Sequence, residues 1–144
     1  MLMKQCLLSV LAMVGLSCCV QQNMPAWEDL PGDNCTLSVV SPRVLKTKSD
    51  TTASAKKVTL RESEKEKVRD YLREFTEQGE ITHATYPPRT VFSGEFFSLN
   101  FVEDWVILSI GKNERIQYAR RITQQDKDMR QLLRKRSDSR ALKN

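Results

Sequence analysis

The chain predicts an α+β domain: a small antiparallel sheet meander with two helices on one face, preceded by a signal peptide and a flexible tether. Three observations predict it. Leu60, Val68, Tyr71, Leu72 and Phe75 recur at helical spacing ahead of Gly79. Phe97, Leu99 and Phe101 alternate with Ser98 and Asn100, the period of a half-buried strand. Short turns at Glu103-Asp104 and over residues 111–114 join consecutive strands, which suits a meander with helices laid on one side.

Taken in order, the chain begins with one charge, Lys4, followed by an uncharged run from Gln5 to Gln22. Within it, residues 6–16 are nearly all apolar. About 12 helical residues span roughly 18 Å, and a bilayer core needs about 20 apolar residues. The run therefore reads as the apolar core of a signal peptide covering residues 1–17. Gly15 and Ser17 stand at the −3 and −1 positions of a cut before Cys18, where a signal peptidase accepts small side chains.

A cysteine directly behind such a cut is more specific. The stretch Val14-Gly15-Leu16-Ser17-Cys18 resembles the signal sequence of a bacterial lipoprotein precursor. It departs from the commonest family form in having Gly15 rather than Leu at −3. The frame ending at Cys19 has Leu16 at −3 but a cysteine at −1. The resemblance covers about the first twenty residues. It implies a diacylglyceryl group on Cys18, with Cys19 the second candidate, and a membrane partner held through covalent lipid. In enterobacterial lipoproteins Asp after the lipidated cysteine is associated with inner-membrane retention. Here that residue is Cys19, so the resemblance implies a cell-envelope protein on the outer membrane, facing the periplasm.

Residues 18–34 carry Pro25, Pro31, Gly32, Asp33 and Asn34 and read as the lipidated N-terminus and a tether. Trp27 in this segment is expected to pack back on the domain. The domain proper is expected over residues 35–136. Its first strand falls at residues 36–46, interrupted at Pro42. Residues 47–57 are small and polar and read as a loop. Thr59 and Glu62 have capping-box spacing for the first helix, which stops at Gly79. Its charged side reads as a solvated face. A short strand over residues 81–86 ends at Pro87-Pro88, and residues 89–92 receive no assignment. Strands then follow at residues 95–102, 105–110 and 115–122; the middle one is apolar on both faces and so central. Thr123 caps a second helix with Asp126 three residues on. Residues 137–144 form a basic tail expected to be disordered.

Net charge is +5, spread unevenly. Residues 112–144 hold 11 Lys and Arg against 4 Asp and Glu, while residues 18–111 hold 11 against 14. Arg130, Arg134, Lys135 and Arg136 are therefore the candidate contacts for an anionic surface, such as lipid headgroups or acidic envelope polymers. Export argues against nucleic acid as the partner. Cys6 leaves with the signal peptide; with Cys18 lipidated, Cys19 and Cys35 remain as a candidate disulfide or as separate thiols.

Catalytic chemistry finds little to work with. His83 is the only histidine, flanked by Thr82 and reading as structural; Glu103 and Asp104 are explained by their turn. There is no phosphate-binding glycine loop, no nucleophile elbow and no zinc spacing, so no enzyme activity, cofactor or metal is expected. Tyr86, Phe92, Phe96, Phe97, Phe101 and Trp105 read as core, with Phe96 the candidate exposed contact because it alternates away from Phe97. The functional expectation is a membrane-anchored module that binds an envelope protein. The alternative is a secreted domain acting as inhibitor or accessory factor of an envelope enzyme.

Overall fold

Strand alternation decides which side of each strand meets the core, and the fold follows from joining those sides. The computed structural model describes residues 24–40, 55–112 and 115–138. After a single 3-10 turn at Trp27–Asp29, the elements are β1 (Cys35–Val39), β2 (Ala55–Val58), α1 (Glu62–Gln78), β3 (Glu80–Ile81), β4 (Thr90–Ser93), β5 (Phe97–Val102), β6 (Trp105–Ile110), β7 (Ile116–Arg121) and α2 (Gln124–Ser137). The strands form one seven-stranded sheet in the order β2-β1-β4-β5-β6-β7-β3, with every pairing antiparallel. This is the α+β meander with two helices that the sequence predicts.

Register builds the core. Leu37, Phe92, Leu99, Leu108 and Tyr118 stand opposite one another across β1, β4, β5, β6 and β7, and all five are buried. Val68, Tyr71, Leu72 and Phe75 of α1 and Met129 and Leu133 of α2 close over this row. Both helices thus lie on one face. They run side by side and antiparallel: Glu64 near the start of α1 meets Arg136 near the end of α2, and Glu74 meets Gln125 near its start.

Two strands lie where the sequence pattern is silent. β2 (Ala-Lys-Lys-Val) buries only Val58 and occupies a sheet edge, so it carries no alternation. β4 buries Thr90 and Phe92 between β1 and β5, a pairing made across more than 50 residues of chain. β3 stops at Ile81, short of the expected Tyr86, because the chain must then travel from beyond β7 back to β4. It crosses the open face of the sheet. Asn100, on that face, accepts from Arg89 N at 3.1 Å and donates to Pro87 O at 3.2 Å, while Tyr86 packs with Trp105 on Val102, Ile107 and Ala119.

The helix starts differ in how well composition marks them. Thr123 caps α2 as expected: its N–H and hydroxyl both donate to Asp126 Oδ2, at 2.7 and 2.8 Å. α1 starts at Glu62, with Arg61 rather than Thr59 at the cap. Leu60 packs against the core, which keeps the chain extended through Arg61, and Glu64 rather than Glu62 accepts the cap N–H, at 2.9 Å. Gly79 ends α1 through close approach, not a left-handed turn. A Cβ there would lie 2.9 Å from Phe75 O and 3.0 Å from Tyr118 Cβ.

The largest correction concerns the tether. Residues 24–34 form a strap docked along α1. Leu30 is 1% exposed, and Met24 and Trp27 pack against the core. Arg69 donates to Leu30 O at 3.0 Å and to Glu28 O at 3.4 Å, Arg73 lies 5.6 Å from the Trp27 ring, and Lys65 meets Asp33 at 2.6 Å. Gly94 admits the strap, since a Cβ there would sit 3.0 Å from Pro31 O. Ser137, expected in the tail, is the buried last residue of α2, and Asp138 caps it. Residues 1–23, 41–54 and 139–144, and with them the signal peptide, Cys18, Cys19 and the end of the basic tail, lie outside the described residues. Among the described residues no helix is long and apolar enough to cross a membrane.

Candidate functional site

The two buried carboxylates among the described residues are natural starting points for chemistry, and both are held in internal hydrogen bonds. Asp126 is 0% exposed. Its Oδ1 accepts from Tyr71 Oη at 2.6 Å and Arg120 Nη2 at 2.7 Å, and its Oδ2 takes the two Thr123 donors. Burial works to raise its pKa, but these four bonds to the charged form win and hold it below the usual carboxylate range. Tyr71 is pushed the other way, by burial and by the charge of Asp126. Arg120 reaches this point from β7 because its strand neighbours alternate with it, Tyr118 inward on the same face. Its guanidinium lies 4.3 Å from the Phe75 ring and donates through Nη1 to Gln78. No lone pair of Asp126 is left for a substrate proton, so the group is a latch joining α1, β7 and α2.

Glu64 is the second latch. Oε2 takes Arg61 N, and Oε1 takes Arg136 Nε at 2.9 Å and Nη2 at 2.6 Å. Burial opposes ionisation, yet the bonds from Arg61 and Arg136 keep the pKa low. Arg136 is therefore committed inside the helix pair and does not belong with the anionic-surface contacts. Of that candidate set, Arg134 and Lys135 are exposed at the end of α2 and Arg130 is half-buried.

Arg134 instead helps shape a groove. Leu37, Val39, Lys56, Arg134, Ser137 and Asp138 line an open pocket of about 340 Å³ between β1, β2 and the C-terminal end of α2. Val39 is 53% exposed, an apolar residue on the core side of β1 that neither α1 nor α2 covers. Lys56 meets Asp138 at 2.9 Å, both largely exposed. The groove thus has an apolar floor, two cations and one carboxylate at its rim. Such a surface suits an acidic segment carrying an apolar side chain. Leu37, Val39 and Lys56 escape sequence reading because strand pairing and a helix end, far apart in the chain, bring them to Arg134.

The other sequence candidates are scattered. His83 is exposed on the crossing segment. Glu103 sits in the β5–β6 turn with φ 41° and lies 3.8 Å from Arg89. The aromatic set divides: Phe92, Phe97 and Phe101 lie in the helix-covered core, Tyr86 and Trp105 on the opposite face. Phe96 is not the free contact expected, for it packs at the core margin under Lys112, 5.4 Å away. Among the described residues no cluster of three His, Cys, Asp or Glu is placed to hold a metal.

Cys35 is a free, buried thiol, and the residue paired with it in the candidate disulfide, Cys19, lies outside the described residues. Its Sγ donates to Pro31 O at 3.0 Å. Burial, aided by Asp33, pushes the thiol up to about 11. At pH 8 about a thousandth of it is thiolate, the reactive form. In a chain with Cys6, Cys18 and Cys19 replaced by serine, a thiol reagent is expected to leave Cys35 unmodified until the protein unfolds; mass spectrometry across a urea series checks this. Rapid modification without urea would show that the strap opens freely.

No protein-family model, no curated protein and no solved structure matches this chain.

Proposed function

We propose that this protein is a lipid-anchored binding module of the bacterial cell envelope, without enzymatic activity, which holds an acidic, apolar-tipped segment of an envelope protein in the groove at the end of α2. The observation that carries the anchor is Cys18 directly behind an apolar run and the small residues Gly15 and Ser17. One acyl chain gives only reversible attachment, at about 0.8 kcal/mol per buried methylene. The two or three chains of a lipoprotein make attachment effectively permanent. Among the described residues, binding is supported over catalysis by the commitment of Asp126 and Glu64 to internal hydrogen bonds, while the groove stays open.

The test is metabolic labelling. Cells given a clickable fatty acid express the full chain beside Cys18→Ser and Cys19→Ser. Label on the wild type and on Cys19→Ser, lost only in Cys18→Ser, is the expected outcome. A shortened, unlabelled, soluble product would replace the anchor with the secreted-domain alternative. Loss in Cys19→Ser alone would move the lipid by one residue.

A further inference from the structure

The strap makes the membrane anchor short, and a short anchor gives the domain an orientation. Its path is set by three neighbours on α1: Asp33 lies beside Lys65, Leu30 beside Arg69 and Trp27 beside Arg73. The strap therefore runs antiparallel to α1, and its first described residue, Met24, emerges towards the C-terminal end of that helix. Lys65, Arg69 and Arg73 recur every four residues and form one flank of α1. Glu64, Tyr71 and Glu74, which meet α2, fall on the opposite flank.

We infer that the strap holds the Trp27–Arg73 flank of the domain against the bilayer and turns the Arg134–Lys135 end, with its groove, away from it. This rests on the lipid-anchor reading. Six chain steps separate Cys18 from Met24, and at 3.3–3.6 Å each they reach about 20 Å at most. A tether ending at Asn34 would have reached nearly three times as far and fixed nothing. The basic end lies beyond α1 as seen from the strap. Glu64, which Arg136 grips, is nine residues from Arg73, about 13–14 Å along the axis, and α2 is set a further 8–10 Å to the far side.

The chemistry of the flank fits an interfacial role. Trp27 is half-buried with its ring under a guanidinium, and Met24 and Ala26 precede it. Tryptophan favours the headgroup level, where one end of the ring is dry and the other wet. Arg73 supplies a cation for lipid phosphate, and the exposed Glu28 and Asp29 make a zwitterionic surface the better match than a strongly anionic one. Of the two partners open to the basic end, headgroups of the anchoring membrane and a component of the compartment, this placement selects the second.

The experiment uses the full lipidated chain in phosphatidylethanolamine nanodiscs doped with a gadolinium-headgroup lipid, read by relaxation enhancement of backbone amides. Enhancement is expected to peak over Ala26–Asp29 and the Arg73 turn, and to be lowest at Leu37, Arg134 and Lys135. Uniform enhancement, or a peak at Arg134 and Lys135, would overturn the placement while leaving the anchor intact. A chain that acquires no lipid overturns the anchor and the placement together. A Leu30→Ala/Trp27→Ala chain, folded by its core amide pattern, is expected to lose the peak because its strap no longer shortens the leash. Retention of the peak there would show that something other than the strap orients the domain.

Discussion

Replacing Asp126 with alanine is expected to cost about 3–5 kcal/mol of folding stability, the penalty for stranding a buried charge. The change removes the only ionic partner of Arg120 among the described residues; Arg120 is 10% exposed and already has a buried Nε that no described group bonds. It also strands the Tyr71 hydroxyl and opens the cap of α2. Domains of this size are stable by only 5–15 kcal/mol. A fall of at least one molar in the urea midpoint is therefore expected, since the slope is about 1–3 kcal/mol per molar. A shift no larger than that of Lys56→Ala, which breaks only the exposed pair with Asp138 and should cost about 0–1 kcal/mol, would mean the latch is not what joins the helices. The pH dependence has a definite sign. Asp126 and Glu64 both have folded pKa values below their ordinary ones. Their contribution is therefore fully present above the unfolded values of about 4 and is lost as pH falls through the folded ones. Stability should decline below about pH 4, and Asp126→Asn should flatten that decline as well as lower the plateau.

Phe92→Ala should cost a similar amount, about 3–5 kcal/mol, through a different mechanism. Phe92 is 0% exposed in the middle of the cross-strand row, between Leu37 and Leu99, with its ring 5.2 Å from that of Phe97. Truncation leaves a cavity where β1 meets the meander, and a rigid two-layer core collapses into it poorly. Chemical denaturation measures the loss. Val39→Ala on the same face, exposed in the groove, should change stability by about 0.5 kcal/mol or less. A Phe92→Ala cost near that of Val39→Ala would mean that β1 is not packed against β4 as described.

What the sequence makes legible is what local chemistry specifies. β6 falls on residues 105–110 as read, because its apolar run is bounded by a tight turn and a glycine. α2 begins where Thr123 and Asp126 place it. The hidden features are those whose partners are remote. β2 shows no alternation because it contributes one buried residue at an edge. β4 is four residues long and gains its meaning from β1. The strap has tether composition, and what turns it into structure lies on other elements: the stripe of Lys65, Arg69 and Arg73, and the core that takes Leu30. Glu64 and Arg136 read as members of charged faces because each is neutralised by the other across 72 residues of chain. The groove was half legible: its cation Arg134 stood in a conspicuous basic run, while its floor depends on strand register.

The edges of the sheet bear on how copies of this protein meet. Concentrating a chain on a surface raises encounters between neighbours, and an unpaired strand is a template for adding another. Here one border is β3, two residues long before the chain turns away, and the other is β2, four residues with lysines at its centre. Among the described residues both borders are short, and the lysines of β2 disfavour an added strand. Short and charged borders oppose strand-to-strand addition between crowded copies, before any side-chain surface comes into play.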